Sequence, residues 1–341
     1  AGSEGEGEGE GERHAARPNL GASIPAQLRQ RYMETPCRLR LPALVGALRR
    51  VLADAGAAVP KAVVFFSTKE AVEFHHALLS ALNSGSGAAA EDDTAVGAGG
   101  GGRRATLPAR LLRLHGSLAQ SERTATFAAF NAPEEPAILL CTDVAARGLD
   151  FPAVRACIQA DPPAEVDDYA HRVGRTARAG RGGEAVLVLF PNEREYVEVL
   201  GEAGARLGNA SVRGAFDALP GHAPAHQSKK RARDGGGAAA AAAEEEKREP
   251  VERHAAALAL QAKAERAVAK TPALARLAKD AFRSHVRAYA TKPSAVKHIF
   301  HVRRLHLGHL ASAFALKKAP NTAGGGKPDA GRGGRALSGR K

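Results

Sequence analysis

The chain contains no tryptophan, and aromatic residues make up 4% of its 341 residues. Nucleic-acid recognition by bases stacked on rings is therefore not expected, since such platforms are built from aromatic side chains. Cysteine is scarce as well: Cys37, Cys141 and Cys157 stand far apart, with no C-x-x-C spacing. That excludes a disulfide framework and a cysteine zinc site, and it fits a reducing compartment. No run approaches the ~20 apolar residues of a membrane-spanning helix. Residues 1–12 alternate glycine with glutamate, unlike the apolar core of a secretory signal. A cytosolic or nuclear protein with no membrane partner is expected. A G-x-x-x-x-G-K-[ST] phosphate loop is also missing; the nearest approach, Gly324-Gly325-Gly326-Lys327-Pro328, lacks the hydroxyl residue.

What the chain does have is basic charge, 49 Lys+Arg against 36 Asp+Glu for a net +13, which points to a polyanionic partner. Residues 1–12 carry five glutamates and no base, whereas the stretch from Lys317 onward holds seven Lys/Arg against Asp329 alone. Composition divides the chain into an acidic Gly/Glu segment (1–19) expected to be disordered, a structured block (20–206) with a disordered insertion (83–106), a low-complexity linker (207–250), a helical block (251–318) and a disordered basic Arg/Gly tail (319–341). In the first block, short apolar runs at 62–66, 111–114, 137–140, 156–158 and 185–190 alternate with helix-length patterns. Continuous runs of this kind predict an α/β fold, a parallel sheet with helices on both faces. Ser67 with Glu70 and Ser117 with Gln120 fit the S/T-x-x-E/Q capping box and predict helix starts just after strands. Cys141 and Cys157 fall in predicted strands and are expected in the core. In the second block, Ala/Leu/Lys/Arg periodicity with Pro272 and Pro293 at the boundaries predicts a small all-helical unit.

Residues 169–180 read Y-A-H-R-V-G-R-T-A-R-A-G. Arg172, Arg175 and Arg178 recur every three residues, which predicts that they share one side of a helical turn and offer guanidinium groups to a phosphate chain. A solvated basic helix is the plainer reading; glycines at and past its end favour close approach of a partner.

With three other segments, this one resembles the motif series of the DEAD-box RNA helicases of helicase superfamily two. Residues 171–178 are similar to the family's H-R-x-G-R-x-x-R motif, and residues 142–150 to T-D-x-A-A-R-G-x-D. Val64-Phe65-Phe66-Ser67-Thr68 resembles the strand motif that opens the second helicase domain, and His115-Gly116 with Gln120 and Arg123 resembles its H-G and Q-x-x-R elements. Four motifs in order are far more specific than any one alone. The resemblance implies a RecA-like sheet and ATP as cofactor. Arg175 and Arg178 would be arginine fingers on the γ-phosphate, a contribution typically worth about 10³–10⁵ in rate. Asp150 would position the ribose, His171 would couple the two helicase domains, and Arg147 would organise their interface. Thr68, Gly116, Gln120, Arg123 and Thr142 would meet an RNA backbone without reading its sequence. Ser67 and Gln120 as plain helix caps, and His115 as a turn residue, stay open as the structural alternatives.

The stretches 281–290 and 297–309 resemble the helical extension of ribosome-assembly DEAD-box helicases, above all the branch called DEAD-box protein seven. That implies a nuclear, nucleolar protein whose partners are RNA of the large-subunit precursors and pre-ribosomal proteins. His298, His301, His306 and His309 have no acidic or cysteine partner nearby in sequence, so no metal site is expected. Residues 229–233, K-K-R-A-R, fit either nuclear import or linker charge. The family also needs a P-loop and a D-E-A-D motif to hold ATP and Mg²⁺. Neither occurs, and the chain starts at Ala1. The expectation is the C-terminal portion of an ATP-dependent RNA helicase, or an incomplete gene model of one. An N-terminal RecA-like domain would then be its partner in cis, and the chain alone would have no ATPase activity. The competing class is a non-enzymatic basic RNA-binding or scaffold module. A DNA- or protein-translocating helicase of the same superfamily is disfavoured by His171 and by the extension.

Overall fold

A computed structural model describes residues 20, 23–53, 59–84, 105–146, 154–177, 182–222 and 249–321. The acidic segment, most of the insertion and of the linker, and the basic tail lie outside the described residues.

Strands β1 (Leu28–Glu34), β2 (Lys61–Phe65), β3 (Arg110–Leu114), β4 (Ala137–Cys141), β5 (Ala156–Gln159), β6 (Gly183–Leu189) and β7 (Gly208–Asn209) form one parallel sheet in the order β3-β4-β2-β5-β6-β1-β7. Both faces are covered, as the continuous apolar runs require. Along β2 the side chains alternate between two cores. Val64 joins Ile138, Leu140 and Ile158 on the side of helices α1 (Arg40–Ala53) and α2 (Lys69–Ser84). Val63 and Phe65 join Leu139, Cys141, Cys157 and Phe130 of α3 (Gln120–Asn131) on the other. The two cysteines are fully buried core residues, and burial pushes the Cys157 thiol up to about 12. The smaller helices of the block are α4 (Asp143–Ala146), α5 (Val166–Val173), α6 (Tyr196–Glu202) and α7 (Val212–Asp217).

Two strands were not expected from the sequence. β1 reads L-R-Q-R-Y-M-E, too polar for a buried run, yet it pairs with β6 over its whole length, from Leu28 opposite Gly183 to Glu34 opposite Leu189. β7 adds two residues beyond it. The linker expected from residue 207 is corrected by this, because the folded block continues through β7 and α7 to residue 222. Helix α7 lies directly on α1: a Cβ on Gly46 would stand 2.0 Å from the Ala215 carbonyl oxygen, so only glycine allows the contact. Helix α2 runs to Ser84, and Asn83 binds the Leu107 backbone at 2.9 and 2.8 Å, tying together the two ends of the expected insertion.

The second block forms α8 (Ala255–Lys270), α9 (Pro272–Ala290) and α10 (Leu307–Ala313), with Pro272 at the first position of α9, where its missing N–H costs nothing. It is not a separate unit. Phe282, Tyr289, Phe300 and Phe314 belong to the same buried cluster as the α1/α2 face of the sheet. Phe314 lies 5.9 Å from Phe74 of α2, and Phe300 lies 5.0 Å from Tyr196 of α6. Several of its histidines serve local backbone needs. Nδ1 of His301 accepts from the Arg303 N–H and Nδ1 of His306 from the His309 N–H, each at 3.1 Å.

Candidate nucleotide and RNA interface

Parallel α/β sheets bind ligands outside the carboxyl ends of their strands, where neighbouring connections run to opposite sides. Here β2 lies between β4 and β5, and the motif residues gather at that edge. Direct contacts link them. Lys69 Nζ donates to Ser117 Oγ at 3.2 Å, joining the ends of β2 and β3. The Thr142 N–H reaches the Leu114 carbonyl at 3.2 Å, joining β3 to β4. The Ser67 N–H donates to Asp161 Oδ2 at 2.8 Å, joining β2 to β5.

The capping expectations need correcting by one or two residues. β2 and the segment after it keep pairing with β4 through Phe66, whose N–H reaches the Cys141 carbonyl. Helix α2 therefore starts at Lys69, and Thr68, not Ser67, caps it, with Oγ1 accepting from the Ala71 N–H at 3.2 Å. Ser117 is no cap either. α3 starts behind Ala119, whose own N–H is taken by the Glu122 carboxylate at 3.3 Å.

The residues assigned to RNA differ in their surroundings. Gly116 and Gln120 are exposed, and a Cβ on Gly116 would meet only Val144, at 3.7 Å. Arg123 is half-buried, with Nη1 3.4 Å from Gln120 Oε1. Thr142 is buried. Thr68 is half-buried, and its hydroxyl pairs with that of Ser284 on α9 at 2.9 Å. His115 is buried, with Nε2 2.6 Å from the Glu73 carboxylate, as a structural residue would be.

Arg172 and Arg175 do not share one side. The helix stops at Val173 with Gly174 as its cap, so the three-residue rhythm does not continue as helix. His171 is exposed. Arg175 follows in the turn, half-buried, with Nε donating to the His171 carbonyl at 3.2 Å. Arg172 points the other way, into the protein. It is 2% exposed, grips both oxygens of Asp143 at 2.6 Å, and reaches the Asp161 carbonyl at 2.7 Å. Phe65 lies under it at 5.2 Å. Burial opposes its charge, but the hydrogen-bonded Asp143 carboxylate outweighs that and holds the guanidinium above its ordinary pKa. Arg147, Asp150 and Arg178 lie outside the described residues.

A second buried network borders the same edge and was not visible in the sequence. Arg40 of α1 pairs with Asp161, both almost fully buried, and His285 Nδ1 of α9 stands 3.4 Å from the same carboxylate. Burial alone would raise the Asp161 pKa; Arg40, His285 and the Ser67 N–H overcome it and hold it well below the usual range. Lys292 Nζ donates to the Pro162 carbonyl at 2.7 Å, and burial lowers its pKa to about 8. The cavity among these groups, about 10 Å³, has room for about one water molecule and none for a nucleotide.

Comparisons with known proteins match both blocks. The model of the helicase conserved C-terminal domain matches residues 102–180, and that of the ATP-dependent rRNA helicase SPB4-like C-terminal extension matches residues 271–322. The chain is 38% identical over 315 residues to ATP-dependent RNA helicase dbp7 of Sclerotinia sclerotiorum, covering 88% of this chain and 33% of that protein. It is 37% identical to DEAD-box ATP-dependent RNA helicase 17 of Oryza sativa subsp. japonica, covering 88% of this chain and 46% of that protein. It thus spans less than half the length of these relatives. The fold matches domain 2 of the DEAD-box helicase Mss116p, solved bound to an RNA duplex, with a TM-score of 0.54 and 23% identity over 84% of this chain and 85% of that one. The parallel sheet, the four ordered motifs and the shared-core extension therefore have one common source: the chain contains a DEAD-box RNA helicase C-terminal domain with an SPB4-like C-terminal extension.

Proposed function

We propose that this chain is the second RecA-like half of an ATP-dependent RNA helicase that remodels pre-ribosomal RNA during large-subunit assembly in the nucleolus. The carrying observation is the contact chain at the carboxyl ends of the strands, which links segments from four separate motifs. Relatives named as ATP-dependent RNA helicases and an extension model described for rRNA helicases support the substrate. Exposed Gly116 and Gln120, half-buried Arg123 and the capped start of α2 offer donors to an RNA backbone.

ATP, when bound between this half and a P-loop domain, would supply the phosphoanhydride that is hydrolysed. On the family resemblance, Arg175 and Arg178 would supply guanidinium charge to the transferring phosphoryl, Asp150 would position the ribose, and His171 would couple this half to a P-loop domain that holds Mg²⁺. Arg175 fits this role, being half-buried in the turn beyond α5 rather than committed to the core as Arg172 is. In a full-length protein, Arg175→Ala and Arg178→Ala are each expected to lower RNA-stimulated phosphate release about 1000-fold or more. Unchanged turnover in both would overturn the finger assignment. The 341-residue chain by itself is expected to release no phosphate from ATP with or without RNA.

A further inference from the structure

We propose that Asp217, His222 and His254 form a binding site for one divalent transition-metal ion of the zinc class, joining the end of the helicase block to the head of the extension. Among the described residues they are a group of three ligand-bearing side chains whose donor atoms all lie within 4.8 Å of one another. His254 Nε2 and His222 Nε2 stand 3.1 and 3.5 Å from the same oxygen, Asp217 Oδ1. An ion held tetrahedrally at about 2.0–2.1 Å from nitrogen and oxygen ligands separates them by about 3.3–3.4 Å, and the two distances bracket that edge. The imidazole rings lie 5.3 Å apart and tilted by 34°, and both direct Nε2 to the same Asp217 oxygen. Two imidazoles and a carboxylate are a zinc donor set, with a fourth position left to water.

The backbone fixes each donor. Asp217 is the last residue of α7. Gly221, in the left-handed region at φ +84°, turns the chain, and the His222 N–H closes the turn on the Leu219 carbonyl at 3.3 Å. His254 caps α8 and packs its ring 5.4 Å from Phe216. His254 is buried, while Asp217 is 45% exposed, so the cluster is anchored on one side and open to an incoming ion on the other. The ligands come from both ends of the 223–253 stretch. An ion bound here closes that long connection and pins α8 beside α7 whatever the length between them. This departs from the expectation of no metal site, which weighed the three cysteines and the histidines of residues 298–309. The new pair escaped it because His222 and His254 are distant in sequence and neither belongs to a ligand motif.

The test uses the full 341-residue chain, stripped with a chelator and titrated calorimetrically with Zn²⁺ at neutral pH, with Co²⁺ in parallel for its visible d–d absorption. One ion per chain is expected, with tetrahedral-type Co²⁺ bands. His222→Gln and Asp217→Asn, both on the more open side, are each expected to weaken binding about 100-fold or more while the circular dichroism stays unchanged. His254→Gln should do the same, and the two open-side variants decide the matter if it fails to fold. Absence of saturable one-to-one binding, or undiminished affinity in the His222→Gln/Asp217→Asn double variant, overturns the proposal.

Discussion

Arg172 with Asp143 and Arg40 with Asp161 are both ion pairs at the carboxyl edge of the sheet, but they are buried to different depths and tie different things together. Asp143 keeps 23% of its side chain exposed, and its partner Arg172 also has the Gln159 side chain and the Asp161 carbonyl. Asp161 is 2% exposed and Arg40 3%, and the same carboxylate also serves the Ser67 N–H and faces His285. The first pair lies wholly within the motif-bearing block, locking α5 onto the end of β4. The second brings the extension in, because His285 belongs to α9. The motif pair holds the shape of the site, whereas the other pair carries that shape across to the appended helices.

The largest expected effect separates the two. Asp161→Ala leaves Arg40 charged and buried with its carboxylate gone, a situation that typically costs about 3–5 kcal/mol. Asp143→Ala also strips a buried guanidinium of its carboxylate, but Arg172 keeps the Gln159 side chain and the Asp161 carbonyl as acceptors, so its cost is expected below that of Asp161→Ala, at about 3 kcal/mol. Urea unfolding of the two variants measures the gap; equal losses, or the reverse order, would mean that burial depth does not rank these pairs.

Acid should act on one network and not the other. His75 of α2 is fully buried, stacked on Phe66 at 4.4 Å, and burial, with help from nearby Arg40, pushes its pKa down to about 3. Its folded pKa is depressed, so the stability it contributes is present above the unfolded value of about 6.5 and is lost as pH falls toward 3. His285 is shifted in the same direction, first by burial. Glu193, raised to about 7 by burial, opposes them: its contribution is full below the unfolded value and is lost as pH rises through 7. Between pH 7 and pH 5 His75 alone is expected to remove about 2 kcal/mol. Glu193 returns about as much over the same interval, so His75→Leu should tilt the profile toward greater stability at pH 5 and Glu193→Gln toward greater stability at pH 7. Unfolding curves at the two pH values, parallel for all three proteins, would show that the seam with the extension does not sense protons.

How legible each part was follows from whether its determinants are local. β2, β4, β5 and β6 were readable because strands buried on both faces must be continuous apolar runs, and the edge strand β3, though half-buried, keeps three leucines in its five residues. β1 was not, because Arg29, Gln30 and Arg31 interrupt it while pairing with β6 stabilises it from outside its own sequence. The cap at Thr68 was missed by one residue: S-x-x-E fits Ser67, but continued pairing through Phe66 delays the helix, which no local pattern encodes. Arg172 was misread because a spacing rule assumed a helix through Arg178 that ends at Val173. Arg40, Asp161 and His285 come from three distant segments, each unremarkable where it stands, and tertiary structure alone joins them.

The smallest effect gives the sharpest test of whether the extension reaches the site at all. Ser284 Oγ donates to the Ala281 carbonyl at 3.0 Å, so in the pair with Thr68 at 2.9 Å the Thr68 hydroxyl is the donor and Ser284 the acceptor. Thr68 Oγ1 meanwhile accepts from the Ala71 N–H. The Thr68 proton is thus committed to the extension. Ser284→Ala is expected to cost about 0.5–1.5 kcal/mol, as a typical net hydrogen bond does. Thr68→Ala should cost somewhat more, because it also removes the cap of α2. In a double-mutant cycle the two should couple by about 0.5–1 kcal/mol. A coupling of zero would mean that the hydroxyls touch without consequence and that α9 only covers this end of the sheet. Coupling in that range, with RNA affinity rising in Ser284→Ala as the Thr68 proton is released, would mean that the appended helix sets how strongly the loop after β2 can hold a phosphate.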